Sequence, residues 1–189
     1  MRIIAGTARS LPLRTLEGEQ TRPTTDRVKE TLFNILQWDV PGCYFLDLFA
    51  GSGQIGLEAL SRGGQYAVFV ENNSKAAKCV EENIRFTKFD TQSKLMTTDV
   101  FSALHMLEGK YRFDLIFMDP PYNQEIEKEV LRNLGQSTLL KENGKVIVEA
   151  ALNTNFDYVE EFGFEVEKLK KYKTNVHLFL KKKEGNHSS

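Results

Sequence analysis

Asp119, Pro120, Pro121 and Tyr122 follow the apolar run Leu115-Ile116-Phe117-Met118, and these four residues carry the most chemical information in the chain. A carboxylate beside a proline carbonyl offers two hydrogen-bond acceptors in fixed register, because the pyrrolidine ring holds φ at about −65° and removes the competing N–H. Two such acceptors suit an amine with two protons. The amine they suit best is an exocyclic one on a nucleobase, whose lone pair is delocalised into the ring and reacts only where developing charge is stabilised. Tyr122 adds an aromatic face on which an extruded base can stack, worth roughly 1 to 3 kcal/mol. The same tetrapeptide is also an ordinary way to end a strand and begin a turn, so the surrounding segments decide its meaning.

Upstream, Phe45-Leu46-Asp47-Leu48-Phe49-Ala50 runs into Gly51-Ser52-Gly53-Gln54-Ile55-Gly56 and then the helical stretch Leu57 to Arg62. Strand, glycine turn and helix in that order form a nucleotide-binding layout, in which the glycines admit a ligand close to the backbone. The run Ala67-Val68-Phe69-Val70 ends at Glu71, 20 residues after Gly51, where a carboxylate can accept from both hydroxyls of a ribose. Asn72 follows it. A third run, Leu95 to Thr98, ends at Asp99, placed either to accept an adenine amine, with Val100 and Phe101 supplying apolar contact, or to cap the next helix. The spacing also satisfies the dinucleotide fingerprint of a nicotinamide-dependent dehydrogenase. Asp47 argues against that rival, since a carboxylate inside the first strand is a poor neighbour for a pyrophosphate and a good one for a cation. A nucleoside with a sulfonium and an α-ammonium group, as in S-adenosylmethionine, fits these residues better.

The elements that must hold these groups are strands near 44–49, 66–70, 94–97, 113–118 and 145–149, with helices in most of the gaps. Residues 73–87 put Ala76, Ala77, Val80 and Ile84 on one face, and 124–134 do the same with Ile126, Val130, Leu131 and Leu134. Such alternation predicts a parallel, doubly wound α/β sheet, with Gly51, Glu71, Asp99 and Asp119 gathered at the carboxyl ends of its strands. Segments 164–171 and 175–180 read as an antiparallel hairpin at one edge. The first 40 residues form a distinct extension: short strands near 2–5 and 11–15, then a helix from about 24 to 38 with Val28, Leu32, Ile35 and Leu36 as its buried stripe. Its start, Arg22-Pro23-Thr24-Thr25-Asp26-Arg27, combines capping side chains with two arginines that oppose the helix dipole and would be favoured there by an anion.

With 189 residues, 41% hydrophobic and 27% charged, the chain suits one domain over 1–183, divided into an extension (1–40) and a core (41–183), with residues 184–189 expected to lack order. No apolar stretch approaches a membrane span, and no signal segment is evident, so a cytoplasmic, monomeric protein is expected. Cys43 and Cys79 suit reduced thiols, and His105, His177 and His187 have no metal-ligand spacing, so no metal is expected. A net charge of −1 excludes a globally basic nucleic-acid binder, yet Lys168 to Lys183 holds seven lysines and no acid, and residues 1–30 hold six basic residues against four acids. Together these ends can form a patch that contacts phosphates.

Over residues 2–181 the chain resembles the RsmD-like methyltransferases that modify guanine N2 in small-subunit (16S) ribosomal RNA. The resemblance rests on Arg2-Ile3-Ile4-Ala5-Gly6 with Arg22 to Asn34, on Asp47 to Glu58, and on Asp119 to Tyr122. It implies a Rossmann-like, seven-stranded, mostly parallel sheet of the class I type, S-adenosylmethionine as methyl donor, and 16S rRNA in an assembling small subunit as partner. Asp47, Phe49, Ala50, Gly51, Ser52, Gly53, Glu71, Asn72, Asp99 and Val100 fall on or beside its cofactor motifs, and Asp119, Pro120, Pro121 and Tyr122 on its catalytic motif. Arg22, Thr24, Thr25, Arg27 and Tyr172 are the expected substrate contacts. The chain departs from the family pattern at Lys173, where members usually have glycine, and at Asn73, where an acid is common. The alternatives are an adenine-N6 methyltransferase of DNA or RNA, which would share the cleft, and an rRNA-binding assembly factor without catalysis.

Overall fold

The computed structural model describes residues 1–16 and 25–185. The expected contacts Arg22 and Thr24, and the tail over 186–189, lie outside the described residues. The elements are α1 (Asp26–Ile35), β1 (Tyr44–Asp47), α2 (Gln54–Ser61), β2 (Tyr66–Val70), α3 (Ser74–Thr87), β3 (Ser93–Met96), α4 (Val100–Leu107), β4 (Phe113–Met118), α5 (Ile126–Gly135), β5 (Leu140–Ala151), β6 (Phe164–Lys171) and β7 (Asn175–Lys182). They form one seven-stranded sheet in the order β3-β2-β1-β4-β5-β7-β6. The first five strands pair in parallel, and β7 enters antiparallel between β5 and β6.

Alternation along the strands sorts the core into two layers. Leu46, Val68, Ile116 and Val146 face α4 and α5, through Leu104, Leu107, Val130 and Leu134. Phe45, Phe69, Phe117, Ile147 and Phe179 face the side of α1 and α2, through Leu32, Phe33, Leu57 and Leu60. Strands buried on both faces read as continuous apolar runs, which is why β2 and β4 stand out in the sequence.

Two expectations for the extension change. Between segments 2–5 and 11–15 the described pairing is a single antiparallel bridge, Arg2 to Pro12. On α1 the buried side chains are Lys29, Leu32 and Phe33, so the stripe is rotated toward a lysine. The cause is Glu58 on α2, whose carboxylate accepts from Ile4 N (2.8 Å), Ala5 N (3.1 Å) and Arg62 Nε (2.9 Å). Lys29 Nζ lies 3.5 Å from Glu58 Oε1, both side chains fully buried, and donates to the Arg2 carbonyl at 2.6 Å. One carboxylate therefore fastens the N-terminal segment and α1 to the helix that starts at the glycine turn. β5 also begins earlier than expected, at Leu140, because Leu140 itself pairs with Phe113 before the register shifts. No helix among the described residues is long and apolar enough to cross a membrane.

Candidate active site

A cleft of about 1340 Å³ opens at the carboxyl ends of the parallel strands. The glycine turn forms its floor: Gly51 and Gly53 take φ values of 59° and 84°, left-handed conformations that a side chain would strain. Gly56 serves packing, since a Cβ there would lie 2.3 Å from Phe69 Cε1. Glu71, at the end of β2, braces the turn by accepting from Gly51 N at 2.9 Å and from Asn73 N at 2.9 Å. Each carboxylate oxygen retains a further lone pair for a ligand. Asp99 lines the cleft and also caps α4, accepting from Ser102 N (2.9 Å) and Ser102 Oγ (2.7 Å). Those bonds, the hydroxyl's first, hold its carboxyl below the usual range. Asp99 is thus the cap of α4 and lies at the cleft wall at the same time.

Phe49, Ala50, Gly51, Ser52, Glu71, Asn72, Asp99, Val100, Asp119, Pro120, Pro121, Tyr122 and Thr25 all line this cleft. Thr25 additionally caps α1 through Val28 N at 3.2 Å. Gly53 and Asp47 are not part of the lining. Asp47 is 1% exposed and sits behind the turn, its Oδ2 accepting from Gly56 N at 3.2 Å while Oδ1 has no partner. Burial, reinforced by Glu71 and Asp119 and opposed by the Gly56 bond, pushes its carboxyl up to about 7. Arg27 is exposed away from the lining, and Tyr172 stands one layer behind it.

The polar end of the cleft, where Asp119 lies, follows from strand register. Phe117, Ile147 and Phe179 form one rung across β4, β5 and β7. Two residues onward on the same face, the chemistry turns polar: Asp119, Glu149 and His177 lie side by side. Asp119 and Glu149 face each other at the end of their strands, and burial together with the Glu149 carboxyl raises the Asp119 carboxyl well above the usual range. Glu149 Oε1 lies 2.7 Å from His177 Nε2 and accepts from Asn175 Nδ2 at 3.1 Å. His177 Nδ1 lies 3.0 Å from the Tyr172 hydroxyl. Burial lowers His177 to about 4 and raises Tyr172 to about 12, so both are neutral at pH 7. Sequence reasoning passed over Glu149, Asn175 and His177, although Glu149 ends the run Val146-Ile147-Val148 just as Glu71 and Asp119 end theirs.

Four carboxyl groups line the cleft, from Glu71, Asp99, Asp119 and Glu149, and no lysine or arginine does among the described residues. Such a field repels a pyrophosphate and attracts a cation. No group of three metal-binding side chains occurs among the described residues.

A family model described as Conserved hypothetical protein 95 matches residues 1–181. The chain belongs to that family. The RsmD-like family includes the Haemophilus influenzae protein named "Ribosomal RNA small subunit methyltransferase D", which is 36% identical over 150 residues, 79% of this chain and 78% of that one. Among solved structures, a hypothetical protein of Thermus thermophilus superposes with a TM-score of 0.82 at 28% identity, covering 96% of this chain and 99% of the other. A ribosomal protein L11 methylase from Lactobacillus delbrueckii subsp. bulgaricus shares the fold at a TM-score of 0.67 and 19% identity, covering 81% and 76%. The sheet is that of class I methyltransferases, and family membership makes this chain a methyltransferase.

Proposed function

We propose that this family member transfers a methyl group from S-adenosylmethionine to the N2 amine of a guanine in small-subunit rRNA. The observation that carries the reading is a cleft lined by four carboxyls and no lysine or arginine among the described residues, with Asp119-Pro120-Pro121-Tyr122 at its reacting end. The residues present fit the donor: Glu71 suits the ribose hydroxyls, Asp99 the adenine amine, and Val100 and Phe101 the adenine face. Asp47, with an unpartnered buried oxygen behind the turn, adds negative potential near the sulfonium. Bound there, the donor supplies an electrophilic methyl group. Asp119 and the Pro120 carbonyl hold the amine by its protons, Tyr122 stacks on the base, and the rate comes mainly from this alignment. The relative's name supports rRNA as substrate, and the match in the first 34 residues, together with the resemblance stated above, favours guanine over adenine. The exposed basic residues Arg2, Arg9, Arg14 and Arg27, with Lys168, Lys171 and Lys173 of the β6–β7 hairpin, are suited to phosphate contacts. In this reading 1–40 forms the substrate-side extension of a monomeric cytoplasmic enzyme whose core is 41–183.

The test is incubation of the purified protein with methyl-labelled S-adenosylmethionine and hypomethylated small subunits, followed by nucleoside analysis. Label in N2-methylguanosine is expected. Label in N6-methyladenosine overturns the substrate, and donor binding without transfer to any RNA overturns the activity. Asp119→Ala should abolish transfer with donor affinity nearly unchanged; equal loss of both would remove Asp119 from the reacting end.

A further inference from the structure

We propose that Glu149 is the proton partner of Asp119, that the buried Glu149 carboxyl and the half-buried Asp119 carboxyl hold one proton between them in the resting protein, and that His177, anchored by Tyr172, orients Glu149 for this exchange. The proposal rests on the amine-methylation reading above and assigns roles to three residues outside the Asp-Pro-Pro-Tyr motif.

The geometry leads to it directly. Asp119 and Glu149 are neighbours on the rung beyond Met118 and Val148, too close in a buried setting for both to be ionised. Glu149 Oε1 receives the Asn175 amide and faces His177 Nε2, which leaves Oε2 open to share a proton with Asp119. With His177 neutral, the Tyr172 hydroxyl can donate to Nδ1, and this fixes the proton of the ring on Nε2, directed at Glu149. In that arrangement Glu149 carries the charge and Asp119 the proton. An Asp119 so protonated has one acceptor oxygen fewer to offer the amine. Moving the proton across to Glu149 frees Asp119 without bringing water into the cleft.

During transfer the guanine nitrogen lone pair forms the N–C bond while the C–S electron pair moves onto sulfur. The nitrogen then bears a positive charge and one proton too many. Asp119 takes that proton, so the pair passes from one proton to two. Release of one proton to water after the product leaves restores the resting state. The other titratable groups facing this pair are His177 and Tyr172 on the β6–β7 side and Asp47 on the β1 side, with Glu71 beyond it. None brings a permanent positive charge, so the pair's proton is not displaced by a fixed cation.

The decisive measurement is infrared difference spectroscopy of the ligand-free protein near neutral pH. Because Asp47 titrates near 7 and adds a band of its own, the spectra are compared in proteins that all carry Asp47→Asn; that parent should show the carbonyl band of a protonated carboxyl, absent once Glu149→Gln or Asp119→Asn is added. No band in the parent, or an unchanged band after Glu149→Gln, overturns the proposal whether or not the wild type methylates RNA, so this failure is separable from failure of the functional reading. With turnover established, Glu149→Gln should move the acid limb of the single-turnover rate at least one pH unit lower and reduce the maximum at least tenfold, with donor affinity unchanged. Tyr172→Phe, a gentler change, should move the same limb in the same direction by less. Lower rates in both variants with an unshifted limb would mean that the three residues only hold the strands together.

Discussion

Replacing Glu58 with glutamine keeps the shape of the side chain and removes its charge, and the outcome tests how the extension is held. The amide oxygen can still accept from Ile4 N, but the amide NH2 then faces the Ala5 N–H and Arg62 Nε, donor against donor. Lys29 keeps only the Arg2 carbonyl and a 3.5 Å contact with Gln54 Oε1, while its fully buried ammonium loses the neutralising carboxylate. Breaking one side of a buried ion pair costs about 3–5 kcal/mol, and each buried donor left without an acceptor about 1–3 kcal/mol. Allowing for relaxation of the partly exposed Arg62, we expect a loss of roughly 4–6 kcal/mol, a large part of the about 5–15 kcal/mol that holds a domain folded. Urea unfolding should be followed by far-ultraviolet circular dichroism, because Trp38, the single tryptophan, is 87% exposed and reports little change in its surroundings. A second variant separates the terms: Lys29→Met combined with Glu58→Gln removes the stranded charge and should be more stable than Glu58→Gln alone. A loss under about 2 kcal/mol, or a double variant no more stable than the single one, would refute the idea that the buried pair governs docking of the extension.

Asp47→Asn should become progressively more stable relative to wild type as pH rises from about 4 to about 7. The folded carboxyl titrates near 7 against an ordinary 3.8, so within that window the folded protein binds more protons than the unfolded chain and loses stability as pH increases. The difference should grow to roughly 4 kcal/mol at most and then level off; unfolding midpoints at a series of pH values that differ by a constant amount would exclude it. Gly56→Ala should lower the melting temperature even though alanine favours helix by about 1 kcal/mol, because its Cβ meets the buried Phe69 ring. Adding Phe69→Leu should recover part of that loss, and no recovery would place the strain elsewhere.

How much of this was legible beforehand depended on the range of the contacts involved. β2 came out of the sequence at its observed bounds and β4 likewise, since a strand covered on both faces is a continuous apolar run with clear ends. Candidate residues marked by their own local sequence were equally visible in position: Gly51 at a positive φ, Glu71 and Asp99 beyond their strands, Asp119 before two prolines. Glu149 and His177 were not, because what joins them to Asp119 is register between strands 28 residues apart in sequence, and one of those strands runs antiparallel. Lys29 was hidden for a related reason. Nothing in α1 itself explains a buried lysine, and its partner lies on another helix. Asp47 was legible as an unusual carboxylate, yet its position behind the cleft wall depends on how α2 packs, which the strand pattern does not encode.

The insertion of β7 between β5 and β6 has a consequence for synthesis. A nascent chain that has emerged as far as β6 already contains the glycine turn, Glu71, Asp99 and the Asp-Pro-Pro-Tyr segment, but β5 still presents an open edge with unpaired backbone groups. Only when residues 175–182 arrive is that edge filled, and the same strand delivers Asn175 and His177 to Glu149. Premature termination before β7 would therefore leave a strand edge prone to association and a Glu149 without its buried partners. A truncated product would lack the partners of Glu149 through the same defect that leaves its β5 edge open, so the cleft is completed only when the strand at 175–182 is in place.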